Sequence, residues 1–204
     1  FTYITKPIKL KGCTDCNTQK TDSYIYVNNI HKKWFKDADG VEKIESLDGL
    51  PTKTGYTFKG YYLEETFENE IIDMNGKLVY NDQLNSKDTV YPYMTANEYT
   101  ITFDENEGNS LSKTSMTVTY DQAYGTLPTP TRTNYSFEGW YTSTSGGTKI
   151  ESSTTVKITS NQTLYAQWKE TYKTLAEHLL AQRGQNYLSS SLIGDMYRYQ
   201  GTYS

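Results

Sequence analysis

The sequence predicts a mostly β protein of the α+β class, built from two tandem small modules and a short helical C-terminal segment. Three observations predict it. The stretch "PTKTGYTFKGYY" at Pro51 to Tyr62 returns as "PTRTNYSFEGWY" at Pro130 to Tyr141, with seven positions identical. Flanking segments alternate apolar and polar residues, the period of two expected of half-buried strands. After Lys169 that alternation gives way to "TLAEHLLAQRG", which reads as a helix.

The correspondence runs beyond the motif. Pro51 lies 79 residues before Pro130, whereas "TVYPYM" from Thr89 lies 74 residues before "TLYAQW" from Thr163, so the first copy carries a five-residue insertion. It falls in or near "EIIDMNGKLVYND", where Asn75-Gly76 between apolar flanks is a strong hairpin signal. In the second copy "YTITF" and "MTVTY" alternate around the turn "DENEGNS", and "FEGWY", "TVKIT" and "TLYAQW" supply three more strands. Pro128 and Pro130 exclude a central strand between them. In the first copy "TYITKPIKL", "SYIYVNN" and "KKWFKD" are the corresponding early strands, with Pro7 demoting the first to an edge or bulged position.

The module boundaries read as 1–97 and 98–169, followed by a tail over 170–204. In the tail Thr174 and Glu177 form a capping box, Leu175 and Leu179 share a face, and Gly184 sits where a C-terminal cap belongs. "NYLSSSLIGDMYRYQGTYS" then reads as the start of a further β segment, so the chain is expected to be a piece of something longer.

Composition narrows the function classes. A net charge of −4, with Lys and Arg interspersed among Asp and Glu, offers no footprint for nucleic acid. No apolar run approaches the roughly 20 residues of a spanning helix, so membrane insertion is not expected. "FTYITKPIKL" lacks the basic start and apolar stretch of a signal peptide, which suggests a mature or trimmed chain. The 20 tyrosines stand in for the usual aliphatic core residues and suit short strands, since each ring has an apolar body and a polar tip.

Cys13 and Cys16, in "CTDC", are the only cysteines. They lack the second cysteine pair or paired histidines of a structural zinc site, and no βαβ pattern surrounds them as a redox motif would require. They read first as a small disulfide closing a turn, with free thiols and metal or redox chemistry as the alternatives. A disulfide would imply an oxidising, extracellular setting.

The two motifs, each followed by a "TxYxxx" closing strand, resemble the Listeria–Bacteroides repeat, the internalin B-repeat family. "YTITFDENEG" resembles that family's opening strand and Asn/Gly turn. The resemblance covers nearly all of 98–169, about half of 1–97 and none of the tail. It implies an α+β module of the β-grasp, ubiquitin-like kind, arrayed in tandem on secreted or wall-attached bacterial proteins, with no enzymatic activity. The extra Cys13/Cys16 turn and the Asn75-Gly76 insertion depart from its pattern.

A module of about 70 residues buries only about 60% of its unfolded surface, so it needs a dense set of anchors. Phe58/Phe137, Tyr56/Tyr135, Tyr62/Tyr141 and Tyr91/Tyr165 recur at matching places and read as that set, and Pro51/Pro130 opens the repeated signature in each copy. Gly60/Gly139 recurs between large residues, as where a backbone approaches a neighbour or takes an angle only glycine allows. The motif therefore reads as a fold signature rather than a binding site.

No catalytic set is visible. His31 and His178 have no nucleophile near them in sequence, and the carboxylates are scattered at turns, so only a convergence in space could build an enzyme. "DADGVE" and "DENEG" look like calcium loops but have Asp48 and Ser115 at the twelfth position, so no metal or other cofactor is expected. Trp34, Trp140 and Trp168 read as core residues first and as a contact surface for glycans or for host or surface proteins second. Strand-like segments at both ends raise self-assembly by strand addition as a further reading. The sequence thus points to a non-enzymatic stalk, spacer or adhesive module.

Overall fold

The computed structural model describes residues 4–171. The chain divides into two compact units. One comprises the residues up to Ile101 with Thr117–Tyr124 and Ser153–Gln162; the other comprises Thr102–Met116, Gly125–Ser152 and the residues from Thr163. Three segments of the second sequence copy, 98–101, Thr117–Tyr124 and Ser153–Gln162, thus belong to the same unit as the first copy.

The first copy forms β1 (Lys6–Leu10), β2 (Ser23–Asn28), β3 (Lys33–Phe35), β4 (Lys43–Ile44), β5 (Tyr56–Tyr62), β6 (Glu70–Asp73) and β7 (Thr89–Ala96). They make one seven-stranded sheet in the order β4-β3-β2-β1-β7-β5-β6. Its inner face is paved by alternate residues: Ile8 and Leu10 from β1, Ile25 and Val27 from β2, Phe58 from β5 and Val90 from β7 are all buried. Fully burying such a side chain is worth about 1.5–3 kcal/mol. A β-bulge between Phe58 and Gly60 shifts the alternation by one residue, so that after Phe58 it is Tyr61 and Leu63 that keep to the core.

Pro7 lies inside this sheet rather than at its edge. Only Lys9 and Leu10 of β1 pair with β7, through Thr89 and Val90. The amides of Lys9 and Lys11 donate to Asp88 and Val90. Pro7 comes before that pairing starts, so its missing N–H leaves no ladder bond unmade.

The second copy supplies β8 (Glu98–Asp104), β9 (Ser115–Thr119), β10 (Tyr135–Tyr141), β11 (Lys149–Ile150) and β12 (Gln162–Glu170), in the order β11-β10-β12-β8-β9. A bulge recurs between Phe137 and Gly139. "TVKIT" is not a strand: Thr155 makes an isolated bridge to Ala123, and Val156, fully buried, takes its hydrogen bond from Asp121. At Asn75-Gly76 the chain does reverse, because the Asp73 carboxylate accepts the amides of Asn75 and Lys77.

The α+β, β-grasp expectation is corrected by this architecture. Among the described residues there is no α-helix, and the only helical piece is one 3-10 turn, Asp82–Asn85, capped by Asn81. The segments that would carry a helix across each sheet contain Pro51 in one copy and Pro128 and Pro130 in the other, and both end on a left-handed residue, Gly55 or Asn134. Prolines and left-handed residues interrupt the hydrogen-bond ladder a helix requires. The expected C-terminal helix, with Thr174, Glu177 and Gly184, lies outside the described residues.

Candidate functional site

The repeated motif places the same four kinds of side chain in each copy. Pro51 and Pro130 are buried at the approach to β5 and β10. Tyr56 and Tyr135 open those strands, half-buried, and each lies under a cation: Lys53 Nζ is 4.2 Å from the Tyr56 ring centre and the Arg132 guanidinium 3.9 Å from that of Tyr135. Phe58 is buried and Phe137 half-buried, and Tyr62 and Tyr141 close the strands half-exposed. At the bulges, Gly60 has φ 135° and Gly139 φ 142°, and a Cβ on Gly60 would lie 2.5 Å from the Ile72 carbonyl oxygen.

Around Tyr56 the polar contacts form a chain. Its hydroxyl donates to Asp121 at 2.9 Å, and Lys157 bonds the other Asp121 oxygen. On the opposite side Lys53 bonds Asp15, which lies inside the turn closed by the Cys13–Cys16 disulfide. The Lys157 bond holds the Asp121 carboxyl below its ordinary value, and the Lys53 bond does the same for Asp15. Those bonds in turn raise Lys157 and Lys53, and donation to Asp121 raises the Tyr56 phenol. In the second copy Tyr135 donates instead to Glu170 at 3.0 Å, and Arg132 pairs with Glu107 at 2.6 Å.

Two of the three tryptophans are closed to ligands. Trp140 is 1% and Trp34 4% exposed. The Trp140 indole donates to the Pro128 carbonyl at 2.7 Å and its ring lies 4.7 Å from Phe103. Trp168 is half-buried, with its N–H shared between the carbonyls of Glu105 and Asn106 at 3.1 and 3.0 Å. The aromatics that do reach the surface together are Tyr62, Phe67 and Tyr93. Phe67 stacks on Tyr93 at 4.2 Å, and Tyr62 meets both edge-on. Sequence reasoning missed Phe67, whose contact depends on a left-handed turn at that residue (φ 56°).

The acidic turns are occupied by backbone. Asp37 accepts the amides of Val41 and Glu42, and Asp104 accepts that of Asn106 at 2.8 Å. Among the described residues the one group with metal-ligand spacing is Cys13, Asp15 and Cys16, and its two sulfurs are bonded to each other. His31 donates its amide to Asn28 at 2.8 Å; His178 lies outside the described residues.

The Listeria-Bacteroides repeat domain family matches the chain over residues 41–85 and 99–167. Internalin H of Listeria monocytogenes is 32% identical over 148 residues, covering 72% of this chain and 25% of its own length. Two proteins of Evansella cellulosilytica, one named as a membrane protein and one as a Gly-rich membrane protein, are 32% and 30% identical over 58% and 69% of this chain. The chain spans a quarter of the length of the first and 16% of each of the other two. With the family's motif matched in both copies and filling the same structural places in each, this chain belongs to the Listeria-Bacteroides repeat family.

Proposed function

We propose that the chain is a non-enzymatic spacer segment of a bacterial cell-surface protein, one that holds other domains away from the cell. The observation that carries this reading is how the repeated motif is used: its proline, phenylalanine and glycine positions go into strand entry, core and bulge, and its tyrosine into a cation-capped strand start. The similarity to Internalin H and to two proteins named for membranes supports a surface location. A disulfide in the first copy fits an oxidising compartment.

The test is an epitope placed outside a wall-anchored reporter, with none, one or two copies of this segment between anchor and epitope. Antibody access to the epitope on intact cells should rise with each copy. Equal access in all three strains would remove the spacer reading. A second reading, an adhesive surface for a host or surface protein, is favoured by the Tyr62–Phe67–Tyr93 cluster. Beads coated with the segment would then bind host cells, and Phe67→Ala would abolish the binding. Of the two terminal segments read as able to add to a neighbour's sheet, Lys6–Leu10 is β1, paired with β2 and β7, and "MYRYQGTYS" lies outside the described residues.

A further inference from the structure

Loops, not a helix, cover the inner face of the seven-stranded sheet, and they leave a gap. Between β1, β2, β5 and the segment after β4 lies an open cavity of about 230 Å³, all of it within the first unit. Leu10, Ile25 and Tyr61 line it with apolar surface, and Ser23, Ser46 and Asp48 line it with polar side chains.

Tyr61 is the telling residue. It is 2% exposed, yet its hydroxyl has no hydrogen-bond partner among the described residues. Among the described residues the Trp34 N–H is the one side-chain polar atom sealed from solvent without a partner, so the Tyr61 hydroxyl is reached through the open cavity rather than sealed beneath it. Burial pushes the phenol up to about 12, so it stays a neutral donor and acceptor at physiological pH. Ser46 and Asp48 are exposed and Ser23 half-buried, so the polar side chains of the cavity wall stand in solvent and are open to a ligand. Lys36, the cation in the wall, is held by Glu42 at 3.3 Å, so the cavity presents no uncommitted positive charge to a phosphate.

A ligand matching this surface carries no negative charge; a small, rigid one with hydroxyls on its rim and C–H groups on a face matches both the polar and the apolar lining. The geometry points to a binding site for one neutral pyranose ring, free or at the end of a glycan, with its C–H face on Leu10 and Ile25 and its hydroxyls at Tyr61, Ser46 and Asp48. The carboxylate of Asp48 can accept two neighbouring hydroxyls at once, and charge-assisted bonds of that kind are the stronger ones. Pockets of this type fix a ligand with a few placed polar groups over an apolar base.

The test is saturation-transfer NMR and calorimetry on the whole chain with glucose, galactose, mannose and N-acetylglucosamine, and with oligosaccharides ending in each. At least one of these should bind saturably. Asp48→Asn should weaken it about tenfold or more, as expected for loss of a charge-assisted bond. Tyr61→Phe should weaken it several-fold with no fall in thermal stability, because its hydroxyl bonds nothing in the folded chain. Equal affinity for monosaccharide and oligosaccharide assigns the site to a free ring, and tighter oligosaccharide binding assigns it to a chain end. Absence of binding by all of them, or binding that survives both substitutions, overturns the proposal; neither result bears on epitope display, so the spacer reading is tested separately.

Discussion

The ring of Tyr120 occupies the space that a side chain on Gly55 would need: a Cβ built there would lie 2.3 Å from the ring carbons. The two residues are also tied through Asn97, whose amide donates to Gly55 and whose carbonyl accepts from Tyr120. Gly55 has φ 76°, which costs an L-residue about 1–2 kcal/mol, and forced overlap in a packed site adds about 1–3 kcal/mol. Gly55→Ala should therefore cost about 3 kcal/mol by urea unfolding. Gly125 has the same φ of 76° with nothing within 4 Å, so Gly125→Ala should cost only the first part, about 1 kcal/mol. Equal losses in the two variants would show that Tyr120 does not confine Gly55.

Lys53 over Tyr56 and Arg132 over Tyr135 are the same contact written twice. Cation–π pairs at exposed sites are worth about 0.5–1 kcal/mol. A double-mutant cycle of Lys53→Met with Tyr56→Leu should return a coupling in that range, and so should Arg132→Met with Tyr135→Leu. The first cycle also breaks the Lys53–Asp15 bond, so Asp15→Asn alone must be measured as its control. A coupling near zero in both copies would make the repeated cation an incidental neighbour.

How much of this the sequence discloses depends on how local the cause is. The alternation in "YTITF" and "MTVTY" is a property of consecutive residues, and those stretches are β8 and β9. "TVKIT" alternates equally well, but Val156 is pinned by backbone bonds to Gln122 and Asp121 and leaves no partner strand to pair with. A helix within each module is implied by the family resemblance alone, and Pro51, Pro128 and Pro130 in those segments argue against it. The cavity beside Tyr61 was not legible because Leu10, Ile25, Ser46 and Asp48 meet only through the sheet order.

The Asp121 cluster makes stability depend on pH at both ends. Asp121 and Asp15 are held below 3.8 by Lys157 and Lys53, so their contribution is complete above that pH and disappears as the pH falls through the depressed folded values. Tyr56 is raised above 10.0 by its bond to Asp121, and Lys53 and Lys157 above 10.5, so theirs is complete below those values and disappears as the pH rises past them. Asp121→Asn keeps an acceptor for Tyr56 and loses the charge facing Lys157. The gap in urea midpoint between native chain and variant should be open at pH 7 and close in the acid range. A gap of constant size down to full protonation would mean that the carboxylate charge contributes nothing.

Trp34 and Trp140 are buried to a similar degree but differ in what their N–H groups do. The Trp140 N–H is bonded to the Pro128 carbonyl, whereas the Trp34 N–H has no partner among the described residues. Replacement by phenylalanine removes similar ring area at each site. At Trp140 it also strips a partly buried carbonyl of its donor, which adds about 1 kcal/mol; at Trp34 it removes a group whose burial was unfavourable. Trp140→Phe should thus be the more destabilising, by about 1–2 kcal/mol, in chemical unfolding followed by circular dichroism. If Trp34→Phe proves equally or more costly, the Trp34 N–H is satisfied in solution, and the difference drawn between the two sites falls.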